Sequence, residues 1–286
     1  MLGVGLYVLH SIGQKMHQES LEKQVEAALW RTQEAIESHK RSALSLALVF
    51  SKSPSIKEAY RANDRQGLIR SVEAYLENMQ TLGGLGPVDV QFHTESLHAW
   101  VRSWDKDSFG MPLAGFRKGL VHVKEQLKPH VSIELGKRLN IKAIAPIVEE
   151  KFLGSVEVIL GFEEIKEQLL QQRIEMIVLL HKAHLDIAEW ESSKHRLGEF
   201  VLVSDACPCQ ASLEKFAQEG RFGQGFLEDE QRVYGFLPLY NVDAIALGFL
   251  GVALNRYELE QGRPSALRPF SATPARGAGR GEVQIQ

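Results

Sequence analysis

The spacing of apolar residues changes period along the chain, and each change marks an element. From Met16 to Phe50 there is no proline or glycine, and Leu29, Ile36, Ala43 and Phe50 recur every seven residues, flanked by Val25 and Leu46. That spacing predicts one long helix with an apolar stripe. Thr32 and His39 are polar where a coiled coil wants apolar seam residues. The stripe therefore reads as a backbone helix that docks on the molecule's own sheets, with dimer contacts to a second copy as the alternative use. Pro54 restarts a helix in SPSIKEAYRA, Asp64 caps DRQGLIRSVEAYLENM, and Gly83, Gly84, Gly86 and Pro87 end the helical lead-in.

Between Val88 and Trp104 the period falls to about 2, as expected of half-buried strands in VDVQFH and LHAWVRSW. A helix is predicted over PLAGFRKGLVHVKEQL from Pro112, followed by strands in VSIELG, IKAIAPIV and LGSVEVILGF, the last two joined by the polar turn EEKF. From Glu163 to Trp190 the spacing is helical, although IEMIVLL can equally open a second module as a strand. EFVLVSD (strand), SLEKFAQEG (helix, closed by Gly220), and the hairpin VYGFLPLYN with AIALGFLGVALNRYEL repeat the plan. Pro146 then Gly154 in the first half answer Pro238 then Gly248 in the second, with spacings that differ by two residues. This weak repeat favours two related modules over one large domain, and each proline fits a strand edge or irregular end.

The fold class expected is α+β: a long N-terminal helix followed by two tandem PAS-like modules, each an antiparallel sheet with flanking helices. The boundaries are 1–14 for a partial membrane segment, 15–82 for the long helix and lead-in, 83–170 and 171–260 for the modules, and 261–286 for a disordered tail rich in Arg, Gly and Pro. Residues 2–12 are almost wholly apolar but too few to span a bilayer, which takes about 20. They read either as the end of a membrane anchor or as a buried helical turn. With 33 basic and 36 acidic residues the net charge is −3, which gives no general pull toward nucleic acid.

A resemblance joins these elements. FHTESLHAWVRSWDKDSFGMPLAGFRKGL and IKAIAPIVEEKFLGSVEVILGF resemble the double Cache sensors found outside the membrane in chemoreceptors, histidine kinases and cyclic-dinucleotide enzymes. The matching residues are His93, Arg102, Trp104, Phe109, Gly110, Leu113, Phe116, Arg117, Ala145, Pro146, Gly154, Ser155 and Glu157, and the likeness extends over roughly 15–260. Met111 and Pro112 stand where the family usually has two aspartates. The resemblance implies a periplasmic, membrane-anchored sensor whose ligand is a small carboxylate or amino acid, with no catalytic group, cofactor or metal.

For the ligand site the resemblance and the residues together single out Trp100, Arg102, Trp104, Arg117 and His93. Period 2 would put Trp100, Arg102 and Trp104 on one strand face, with a guanidinium between two aromatic rings, suited to bidentate capture of a carboxylate. Arg117, beside Lys118, offers a second cation. An outward, stacked surface arginine is the competing reading of Arg102, and a hydrogen-bonded structural histidine that of His93. Glu157 is expected to pair with a base on a neighbouring strand.

Enzyme signatures are missing from the sequence: there is no HExxH, CxxCH, phosphate loop or nucleophile elbow. Cys207 and Cys209 form a CPC run whose spacing speaks against an intramolecular disulfide. Two functional alternatives stand beside the receptor sensor: a stand-alone periplasmic binding module, and a redox enzyme using these cysteines.

Overall fold

The computed structural model describes residues 2–83, 88–188, 191, 195–204 and 207–261. The predicted tail from 262 onward and the break at Gly84, Gly86 and Pro87 lie outside the described residues. Helix α1 (Leu2–Lys52) runs unbroken for 51 residues, through the stretch expected as a membrane segment. Among the described residues no helix is long and apolar enough to cross a membrane. Two short helices follow, α2 (Pro54–Arg61) and α3 (Arg65–Gly83). Asp64 caps α3, its Oδ1 accepting from the Gly67 amide at 2.8 Å.

The first sheet contains β1 (Asp89–Thr94), β2 (Ala99–Arg102), β3 (His130–Leu135), β4 (Leu139–Val148) and β5 (Phe152–Leu160) in the order β2-β1-β5-β4-β3, all antiparallel. Helix α4 (Lys118–Gln126) lies over one face, and α5 (Glu163–Leu170) leads to the second sheet. That sheet contains β6 (Glu175–His181), β7 (Arg196–Leu197), β8 (Phe200–Leu202), β9 (Phe226–Glu228), β10 (Arg232–Tyr240) and β11 (Ala246–Asn255), in the order β7-β8-β6-β11-β10-β9. It carries α6 (Gln210–Gln218) and ends in α7 (Arg256–Glu260). Without the short β7, the second order repeats the first strand for strand.

Two sequence expectations change. The helix predicted from Pro112 starts only at Lys118, because the preceding residues are engaged with β2: Gly110 donates to the Ala99 carbonyl at 2.7 Å, Ala99 to Met111 at 2.9 Å, and Leu113 to Leu97 at 3.1 Å. IEMIVLL is strand β6, the second of its two readings. Met176 to Leu180 are all buried, so the run shows no alternation that would separate strand from helix.

The repeat is geometric. Pro146 pairs with Ser155, just after Gly154, and Pro238 pairs with Phe249, just after Gly248. The two-residue difference lies in the hairpin turns. Each proline also lies beyond the end of the outer strand, since β3 pairs with β4 only up to Ile144 and β9 with β10 only over Val233–Gly235. A missing amide donor costs little there. The glycines are equivalent too: a Cβ on Gly154 would lie 2.2 Å from the His93 carbonyl oxygen, and one on Gly248 would lie 1.9 Å from that of Leu179.

Helix α1 ties the sheets together. Its stripe is buried: Ala43, Ala47 and Phe50 pack with Val90, Phe92, Ala145 and Val156 of the first sheet, while Leu21, Val25 and Leu29 pack with Val178, Val233 and Val252 of the second. A Cβ on Gly235 would lie 2.4 Å from Val25 Cγ1, so helix and strand touch closely there. Thr32 is fully buried with its hydroxyl bonded to the Ala28 carbonyl at 2.9 Å, which satisfies the polar seam position within the helix. The apolar side chains that α1 leaves exposed include Met16, Trp30 and Val49.

Candidate functional site

With one face of each sheet against α1, the opposite faces decide what each module can hold. In the second module that face is filled by its own side chains: Leu213, Phe216, Phe222, Tyr234 and Phe236 form a separate core with Phe200 and Phe249 against it. Most of their rings meet edge-on or tilted, as in Phe222 with Phe236 at 4.9 Å and Phe200 with Phe249 at 5.5 Å, while Tyr234 stacks on Phe236 at 6.5 Å. In the first module the same face is largely polar and charged, with an apolar patch where Ala99 and Ile144 pack under Leu120 and Val123 of α4.

The ladder registers place this polar face. Across the sheet run Arg102, Gln91, Glu157, Ile144 and His130, each opposite the next. Beside them lie Ala99, His93, Ser155 and Pro146 in one row, and Asp89, Ile159, Lys142 and Ser132 in the other. Gln91, His93, Ser155, Glu157, Lys142 and Glu134 are all buried. A sheet face buries so many polar groups only if they satisfy one another or something else.

Arg117 closes over the face from the N-terminus of α4. Its Nη1 donates to Glu157 Oε2 at 3.2 Å, its Nη2 to Glu157 Oε1, and Nη2 also reaches Glu134 Oε2 at 3.5 Å. The partner of Glu157 is thus a base on a helix cap, where a strand base was expected. Glu134 is held by the Ser132 hydroxyl at 2.7 Å and sits tight against α4, where a Cβ on Gly119 would be 2.1 Å from its Oε1. Burial pushes the Glu157 carboxyl up, but Arg117, Lys142 and His93 outweigh it and hold the group down at about 2. Burial depresses the Arg117 cation, and Glu157 and Glu134 more than restore it. Lys142 is pushed down to about 7, by burial first and Arg117 next.

His93 is fully buried, with Nδ1 3.0 Å from Ser155 Oγ and Nε2 4.0 Å from Glu157 Oε2. Burial lowers its pKa to about 4, so the ring is neutral at pH 7. Arg102 shares the Gln91 row and is capped by Ser108, with Nη1 to Oγ at 2.5 Å, and by the Met111 sulfur 3.6 Å from Nη2. A thioether therefore contacts this guanidinium from one of the positions where the family usually carries an aspartate. Four buried polar atoms on or over this face have no hydrogen-bond partner: Gln91 Nε2, His93 Nε2, Arg117 Nε and His130 Nε2.

The tryptophans do not flank Arg102 as period 2 predicts. A bulge between Phe92 and His93 sets Val101 opposite Phe92 and Ala99 opposite His93, leaving Trp100 as the extra residue. Its ring turns to the helix side, 4.6 Å edge-on from Tyr60 of α2. Trp104 lies past the end of β2 and is 41% exposed. His93, Arg102 and Arg117 remain together. Gln91, His130, Glu134 and Lys142 join them, and of these the charged pair was the most legible, as polar letters inside the otherwise apolar strands VSIELG and IKAIAPIV. A groove of about 400 Å³ between α3 and β2, lined by Val72, Leu76 and Val101, shares only Arg102 with this cluster and is a separate feature.

Family comparison agrees with this architecture. Residues 18–202 match the dCache_3 family, described as the double sensory domain of two-component sensor kinases. The chain belongs to the double Cache sensor family. Compared with curated proteins, the sequence gives no match. Among solved structures, the double Cache fold of this chain superposes on the sensor domain of the Vibrio cholerae histidine kinase DctB with a TM-score of 0.50 and 15% identity, covering 85% of this chain and 98% of that one. It superposes equally, at a TM-score of 0.50 and 11% identity, on a domain of a putative sensory box/GGDEF family protein from Vibrio parahaemolyticus, covering 85% and 99%. The double Cache chain thus shares its family with the double sensory domains of two-component sensor kinases, and its fold with the two solved domains.

Proposed function

We propose that the chain is the extracytoplasmic, small-molecule-sensing part of a bacterial transmembrane signalling receptor of the chemotaxis or two-component type. The polar face of the first sheet takes a small carboxylate or an amino acid. The observation that carries this reading is the contrast between the two far faces: a packed aromatic core in one module, and in the other a buried polar cluster with four atoms left without partners. Arg102, whose side-chain hydrogen bonds go to a hydroxyl and a thioether and not to a carboxylate, is the cation assigned to a ligand carboxylate. Arg117 and Lys142 add positive charge, and Gln91, His93 and His130 offer the remaining polar contacts. Trp104 stands at the rim; Trp100, on the other face, serves packing.

The segment from Ser103 to Arg117 and helix α4 cover the face, so a ligand drawn in beneath them loads β4 and β5. Helix α1 packs on the reverse of those strands and carries the displacement toward the second module and the membrane. Attachment through the N-terminal segment and pairing of α1 with a second copy, through side chains such as Trp30, belong to the same proposal.

A thermal-shift and calorimetric screen of the full chain against amino acids and mono- and dicarboxylates tests it. A ligand at 100 times its Kd stabilises by about 2.7 kcal/mol. The expected result is a hit that Arg102→Ala abolishes while the fold remains. A hit unaffected by Arg102→Ala, or no hit across the panel, would overturn the assignment.

A further inference from the structure

The far face of the second module is filled by aromatic rings, yet beside them it keeps a cluster that this core does not explain. Cys207 and Cys209 form a disulfide in the loop before α6, with Cα atoms 5.1 Å apart, contrary to the expectation from their spacing. Cys209 is buried in the aromatic core and Cys207 packs on it. Glu175, the first residue of β6, brings a carboxylate to them: the two sulfurs and a carboxylate oxygen all lie within 4.8 Å of one another. One oxygen of that carboxylate, Oε2, is buried without a hydrogen-bond partner. The other, Oε1, lies 3.5 Å from Arg232 Nη2.

The geometry points to a latent metal site: once the disulfide is reduced, Cys207, Cys209 and Glu175 bind a divalent cation of the zinc class. A dithiol reductant transfers two electrons and two protons to the disulfide, giving two thiols and its own cyclic disulfide. The cation then displaces both thiol protons, forming two metal–sulfur bonds and one metal–oxygen bond. Zinc at about 2.3 Å from each sulfur needs the sulfurs about 3.7 Å apart, a separation that two side chains on a short turn reach by rotation alone. Two thiolates with one carboxylate match the borderline preference of zinc and cobalt better than that of copper(I), which favours sulfur alone. Three anionic ligands leave one excess negative charge on the complex, and Arg232 stands beside Glu175 to offset it. Three protein ligands also leave a fourth position for solvent or substrate. Since Glu175 opens β6 directly after α5, an occupied site would pin the junction of the two modules to the loop before α6.

The test uses the full chain, reduced and freed of reductant under anaerobic conditions, titrated with Co²⁺ and then competed with Zn²⁺. The expected result is one Co²⁺ per chain with a thiolate-to-cobalt charge-transfer band, bleached by Zn²⁺ and absent from the oxidised protein. Cys207→Ser should remove most of the band, and Glu175→Gln should weaken binding at least tenfold. If Cys207→Ser fails to fold, the reduced wild type alkylated at both thiols takes its place, and Glu175→Gln, at a part-exposed position, still reads the third ligand. A reduced protein with two free thiols and no band would overturn the proposal. So would a band that survives thiol loss, or an affinity unchanged in Glu175→Gln.

Discussion

Arg117 Nη1 donates to Glu157 Oε2 at 3.2 Å in the buried middle of the sheet face, while the Nε of the same guanidinium has no partner. The pair is neutral as a unit but costly to halve, because removing either member leaves a charge out of water with only a weaker partner, Glu134 for Arg117 or Lys142 for Glu157. We expect Glu157→Gln to destabilise the chain by about 3–5 kcal/mol. Arg117→Met should cost a similar amount, and the double variant much less than the sum. Urea unfolding of the four proteins gives the coupling; additive losses would mean the two groups act independently.

Acid should act on His93 before it acts on the carboxylates. Its folded pKa of about 4 lies below the ordinary 6.5, so between those values the unfolded chain binds the extra proton and stability falls as pH drops from 6.5 toward 4. Glu157, held at about 2 against 4.5, adds a second loss as pH falls from 4.5 toward 2. His93→Gln should flatten the first limb and leave the second. Denaturant midpoints measured from pH 3 to pH 7 separate the two.

Lys142 acts at the alkaline end. Its folded pKa of about 7 lies below the ordinary 10.5, so over that window the unfolded state holds the extra proton and stability rises with pH. Lys142→Met should abolish that rise, which thermal unfolding between pH 7 and pH 10 will register. A rise that persists in the variant would assign it to another group.

The two hairpin glycines should fail in the same way. An alanine Cβ at Gly154 or Gly248 would meet a neighbouring strand's carbonyl oxygen at 2.2 or 1.9 Å. Each substitution should therefore destabilise by at least the 1–3 kcal/mol, roughly, of an overpacked core. Gly223→Ala, where a Cβ meets nothing within 4 Å, is the control. Equal losses for all three would remove the steric argument.

The sequence made the helices and most strands legible because period and punctuation are local. It placed α1, the lead-in, both closing hairpins and the doubled plan. It missed the late start of α4, since pairing of residues 110–113 with Leu97, His98 and Ala99 at the start of β2 depends on a partner that the local sequence does not announce. It left β6 undecided because a central strand buried on both faces has no alternation. Within the proposed site, family likeness singled out His93, Arg102 and Arg117, which the fold brings together. Trp100 was misplaced because one bulge residue inverts every facing that follows it. The meeting of Glu134 and Lys142 with Arg117 needed the cross-strand register, which no single strand encodes.

Both sheets present α1 with one side and keep it away from the other. Residues that would choose a ligand and residues that grip the helix therefore alternate along the same strands without sharing a surface. On the proposed reading, substitutions at positions 91, 102, 134 or 142 would retune what the first module recognises while positions 90, 92, 143 and 145 hold the helix contact unchanged. If the polar face is the ligand site, a fold with its two tasks on opposite sides of one sheet can change its chemical vocabulary over generations without rebuilding its machinery.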